Sequence, residues 1–222
     1  MALVIALDEN GIPDPATQRV RPNWRDSDGK LVSDQWLIDN EGLYPLDKTR
    51  PEHDESLEAA TLNGPADWTV GADQVTATYT VSDRPLADAQ GFLTQTLAAV
   101  RFRYEANGIS FTDGGGTAHK LHSNRGAQSA LTAERLSVDN GERADGEPWK
   151  TIDGFVPFAN SDIISAYTAL RNHVRAVFQR ESEVDQLITD AGSVNDLRSI
   201  RDNEMATGWP SAALFPDRHK VG

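Results

Sequence analysis

Residues 163–188 read IISAYTALRNHVRAVFQRESEVDQLI. Ile163, Tyr167, Leu170, Val174, Val177, Val184 and Ile188 fall there on a 4-3-4-3 spacing, interrupted only by Glu181 and stopping before Asp190-Ala191-Gly192. The spacing predicts one long helix with a narrow apolar stripe, roughly 40 Å long at about 1.5 Å per residue. Such a stripe must be buried against something, which points to an assembly part more than to a catalyst. Glu181 should lie where the bundle opens to solvent or meets a basic partner such as an arginine.

Upstream, Pro85 suits a first helical turn, and Leu86, Leu93, Leu97, Val100 and Tyr104 follow on a 7-4-3-4 spacing. Asn107-Gly108 is a good helix stop. This second stripe can cover the first within one chain, or both can associate between copies. The mixture of Ile, Val, Leu and Tyr leaves the number of strands in such a bundle open.

Between the two stripes, Ile109-Ser110-Phe111-Thr112, Asp113-Gly114-Gly115-Gly116 and Thr117 to His122 predict a hairpin. Asn124 can cap a helix through about Val138, with Ala127, Leu131 and Leu136 available for burial. Trp149-Lys150-Thr151-Ile152 and Phe155-Val156-Pro157-Phe158 flank Asp153-Gly154 as a second hairpin, and Asn160 or Ser161 caps the long helix. Past Gly192, Ser193-x-x-Asp196 opens a short helix carrying Val194, Leu197 and Ile200.

Residues 1–84 read as short strands and turns. Leu3 to Leu7 runs into Asp8-Glu9-Asn10-Gly11, a hairpin signal, and Asp26-Ser27-Asp28-Gly29 is a further turn. The clearest strand runs from Val75 to Val81, where apolar residues alternate with threonines. Pro13, Pro15, Pro22, Pro45, Pro51 and Pro65 favour short strands joined by extended connections. The fold class is therefore α+β. A small loop-rich β domain (1–84) precedes a mainly helical domain with two short hairpins and two long helices (85–210), then a tail (211–222).

Composition sets outer bounds. With 38% hydrophobic residues in 222, the core is not generous, and Trp24, Trp36, Trp68, Trp149 and Trp209 are expected to supply much of the burial. The longest apolar run, Ala2 to Leu7, is too short to span a membrane and carries no signal-peptide features. The absence of cysteine removes disulfides, thiolate catalysis and cysteine zinc sites. The net charge is −13; residues 1–90 hold 17 acidic and 7 basic side chains, residues 91–222 hold 17 and 14. Such a surface is repelled by phosphate backbones and anionic lipid, so neither nucleic acid nor membrane is an expected partner.

Motifs for catalysis are missing. Asp113 to Gly116 lacks the Gly-Lys-Ser/Thr continuation of a phosphate loop, and His119 and His122 fall on opposite faces of a strand. Asp26 to Gly29 lacks the glutamate that would close a calcium loop, position 35 being Gln35. Glu52-His53-Asp54-Glu55 reads as a solvated acidic loop. No catalytic residue, cofactor-binding residue or metal ligand is expected, and the chain is not read as an enzyme.

One ordered set of segments resembles a domain of unknown function that recurs in tail fibre and other tail proteins of tailed bacteriophages. It comprises Arg101-Phe102-Arg103-Tyr104-Glu105, Gly-Ile-x-Phe-Thr-Asp at 108–113, and the helix after Asn124. Trp149-Lys150-x-x-Asp153-Gly154, the long helix with His173, Val174 and Phe178, and Trp209-Pro210 complete the order, which covers roughly residues 88–210. A weaker likeness to segments of phage fibre-type proteins lies in Asn40 to Leu46, Pro51 to Asp54 and Trp68-Thr69-Val70. The resemblance implies a virion component, fibre or baseplate-attached, made in the host cytoplasm. Its implied partners are further copies of itself (a trimer being one option), other tail or baseplate proteins, or a host surface receptor. An assembly chaperone absent from the particle and a receptor-binding tip are the alternatives. The resemblance brings no catalytic residues.

Overall fold

The computed structural model describes residues 2–25 and 28–211. The expected turn at Asp26 to Gly29 lies partly outside the described residues, as does the tail beyond Ser211. The chain is α+β and divides into two compact units, Met1–Arg84 and Pro85–Gly222.

In the first unit, β1 (Leu3–Leu7) and β2 (Pro13–Val20) pair antiparallel across the Asn10-Gly11 turn. With β3 (Leu43–Asp47), β5 (Thr69–Val70) and β6 (Val75–Thr76) they form a sheet of order β2-β1-β3-β6-β5. Despite Pro13 and Pro15, β2 runs for eight residues. It can do so because it is the sheet's edge, where a missing N–H leaves no ladder bond unmade. A helix, α1 (Asp34–Glu41), was not expected among these strands. Its signals were nonetheless present: the Ser33 side chain accepts from the Trp36 N–H, and left-handed Gly42 ends it.

That helix explains how β1 is buried on both faces. Val4 packs with Val32, Leu37 and Leu43, whereas its neighbour Ile5 packs with Leu46, Trp68, Val75 and Ala77. The Val75 to Val81 stretch is two strands rather than one. β6 belongs to the main sheet, and β7 (Tyr79–Asp83) pairs antiparallel with β4 (Glu58–Leu62) in a second. Ala77 donates its N–H to the Asp47 carbonyl and Thr78 accepts from Asn63, so the chain changes partners between those residues.

The second unit begins with α2 (Leu86–Ala106), followed by the hairpin β8 (Ile109–Thr112) and β9 (Ala118–Leu121). Then come α3 (Arg125–Asp139) and the hairpin β10 (Pro148–Thr151) and β11 (Gly154–Pro157). The long helix α4 (Asn160–Asp190) follows, and the described chain closes with α5 (Val194–Ser199) and one π turn, Ile200–Glu204. The N-cap of α4 is Ala159 rather than Asn160 or Ser161, and the Asp162 carboxylate accepts its N–H at 3.0 Å.

One face of the first half of α4 closes a core with both hairpins and α3. Ile163, Ala166 and Leu170 meet Ile109, Phe111, Leu121, Leu131 and Phe158 there. Leu136 is outside it, 56% exposed. The tryptophans contribute less than expected. Only Trp68 is buried, and Trp24 and Trp36 meet edge to face at 6.3 Å while each stays more than a third exposed.

Candidate functional site

The two stripes cover each other. α2 and α4 run antiparallel: the Gln90 side chain donates to the Ile188 carbonyl, Thr94 to Asp185, and Arg101 to Glu181. Leu93, Leu97, Val100 and Tyr104 are buried, as are Ile163, Leu170, Val177, Val184 and Ile188, while Leu86, Tyr167 and Val174 are half-buried. Within this seam Leu86 to Tyr104 meets the Val177 to Ile188 half of α4, and α3 takes the earlier half. A second copy is therefore not required to bury the seam.

Glu181 meets an arginine. Arg101 Nε lies 3.3 Å from its carboxylate, the same guanidinium pairs with Glu105 one turn on, and the Phe178 ring packs on the guanidinium at 4.9 Å. Glu105 is only 4% exposed and also accepts from Gln128 at 3.1 Å. Its backbone carbonyl accepts from the buried Ser123 hydroxyl, which in turn accepts the Gly108 N–H. His173 Nε2 donates to the Tyr104 carbonyl at 3.0 Å, and burial holds its pKa below the usual imidazole value of 6.5. Trp209 stacks on Tyr104 with ring centroids 4.9 Å apart. Arg180 holds the turn before it, donating to the Glu204 and Thr207 carbonyls. Gly208 is required beside it: its φ is +76°, and a Cβ would come within 2.8 Å of Arg180 Nε.

Arg101, Tyr104, Glu105, His173, Phe178 and Trp209, drawn from three distant segments, thus build one polar node. Every charge in it is answered by a neighbour, as the interior of a fold requires. It offers no unpaired group to a substrate.

Asp113 likewise works on its own chain. Its carboxylate accepts from the Gly115 and Thr117 N–H groups and from His119 Nε2 at 2.8 Å, which holds its pKa below the carboxylate norm, the histidine bond contributing most. Gly114 donates to Asp162 at 2.8 Å, so the Asp-Gly-Gly-Gly turn is fastened to the start of α4. Among the described residues no group of three or more His, Asp or Glu is arranged to hold a metal ion. No helix among them is long and apolar enough to cross a membrane.

One residue invisible to motif reading carries much of the loop before β10. The Arg143 side chain is almost wholly buried, and its guanidinium donates to Glu134, to the carbonyls of Glu147 and Phe158, and to Asn160 Oδ1. A lone arginine in a polar loop gives no periodic signal, so the sequence could not single it out.

A groove of about 510 Å³ opens between the N-terminal half of α3 and the second hairpin. Leu121, Leu131 and Trp149 form its apolar lining, with Phe155, His122 and Lys150. The pairing of β10 with β11 sets Lys150 across from Phe155, and its ammonium lies 6.0 Å from that ring. Phe155 is 72% exposed. The lining contains no carboxylate, and the Trp149 indole N–H has no partner among the described residues. Trp149 and Lys150 belong to the ordered set of segments quoted above, whereas the sequence offers His122 only as a metal ligand it argues against, Leu131 only for burial and Phe155 only as part of a hairpin.

A family model described as a domain of unknown function (DUF4376) matches residues 88–204, from the first turn of α2 to the π turn. No curated protein and no solved structure matches the chain. The match takes in the α2–α4 seam, both hairpins and the groove, and spans more than half of the chain. The protein is a member of the DUF4376 family.

Proposed function

We propose that this protein is a structural component of a bacteriophage tail, a fibre or baseplate-attached module that acts by docking to other tail proteins. The observation that carries this reading is the ordered set of segments resembling a recurrent phage tail domain. Residues from those segments meet in space, with Tyr104 against Trp209 and His173, and Arg101 against Phe178. Segments that converge on one folded node support a likeness of whole domains rather than of scattered words. The groove beside Trp149 offers such a module a surface for a neighbour.

In this reading α2 and α4 stabilise the module, and any self-association uses other surfaces. Protein analysis of purified particles tests it, with a stoichiometric 24.2 kDa component as the expected result. Its absence from particles, with fibres failing to form when the gene is deleted, would favour an assembly chaperone instead.

A further inference from the structure

We infer that the groove between α3 and the β10–β11 hairpin binds an acidic segment of a partner polypeptide that also carries large apolar side chains. Charge is the first reason. In a chain with 34 acidic and 21 basic side chains, the groove lining holds Lys150 and His122 and no carboxylate. Among the described residues neither of the two is in an ion pair. A surface that departs from the sign of its own chain is complementary to a carboxylate-bearing partner.

Apolar surface is the second reason. Phe155 stands 72% exposed at the edge of a lining in which Ala127, Ala130 and Trp149 are accessible above the buried Leu121 and Leu131. A chain laid across it would bury the Phe155 ring and offer a carbonyl or carboxylate oxygen to the Trp149 indole N–H, which has no partner among the described residues. Lys150, lying beside Phe155, would then pair with an acidic side chain one step along the same segment. Aromatic and cationic groups side by side also suit single-stranded nucleic acid. A strand carries a phosphate at every nucleotide and calls for a run of cations, whereas the lining holds one lysine.

The partner class rests on the docking role proposed above, yet the two are tested apart. The probe is a fluorescein-labelled 12-residue peptide in which Asp and Glu alternate with Leu and Phe. Anisotropy with the full chain should show saturable binding that weakens as salt rises. Lys150→Glu should weaken it at least tenfold, and Phe155→Ser by roughly tenfold, with circular dichroism unchanged. A matched peptide with Lys in place of Asp and Glu should bind at least tenfold more weakly. Absence of saturable binding, equal binding of the Lys peptide, or unaltered affinity in Lys150→Glu would overturn the inference, as would equal binding of a 12-nucleotide single strand. Peptide binding by a protein missing from particles would leave the groove intact and remove the structural role.

Discussion

The α2–α4 seam and the groove beside α3 are made of the same kinds of side chain, yet only one of them is finished. Along the seam, Leu93, Leu97 and Val100 lie buried with Val177, Val184 and Ile188, and one guanidinium, that of Arg101, is shared by the carboxylates of Glu105 and Glu181. Across the groove, Phe155 faces water and, among the described residues, Lys150 is in no ion pair. The difference separates stability from recognition. Where the chain satisfies its own groups it gains a fold, and where it leaves apolar and cationic groups side by side it keeps something for a partner.

The largest effect should come from breaking the seam's polar node. Arg101→Ala leaves the Glu105 carboxylate buried without its cation, a loss of about 3–5 kcal/mol for such a pair. Urea unfolding of the helical unit is the measurement; a change under 1 kcal/mol would mean that water reaches the node and that the seam is not closed.

A middle-sized effect is set by His173. Its folded pKa is depressed, chiefly by burial, with the Tyr104 and Glu105 backbone and the Glu105 carboxylate pulling the other way. The unfolded chain therefore takes up the proton first as pH falls past about 6.5, and stability is lost from there down to the folded pKa. Above 6.5 both states are neutral and the contribution is fully present. His173→Gln, which can still donate to the Tyr104 carbonyl, should flatten unfolding free energy over that window. Carboxylate titration, below about pH 4.5, stays separate. An unchanged slope would show that the imidazole is already hydrated in the folded state.

The smallest effect on stability belongs to the groove. Phe155→Ser should shift unfolding by no more than about 0.5 kcal/mol, because the ring is mostly in water already. A loss above 2 kcal/mol would place Phe155 in the core and erase the contrast between the two regions.

Periodicity made part of this legible. The two stripes, both hairpins of the second unit and the Asn124 cap follow from spacing and turn residues, because local rules decide them. Whether the stripes close on each other or on a second copy is not a local matter, since the same Leu and Val pattern serves both. The α1 helix escaped because eight residues with one buried side chain, Leu37, make no stripe, although Ser33 and Gly42 marked its ends. Arg143 and the groove were illegible for another reason. Each draws on residues from separate elements that meet only after the hairpin, α3 and α4 have come together.

The pairing of Gln90 with Ile188 has a consequence for the order in which the protein is made. Those groups are 98 residues apart in the chain, with two hairpins and α3 between them. At roughly 5–20 residues per second, a ribosome that has released α2 needs about 4–17 s more before the end of α4 emerges to cover it. For that time Leu93, Leu97 and Val100 face the cell uncovered. A nascent chain arrested before α4 should accordingly be the species most prone to aggregation and most readily held by chaperones.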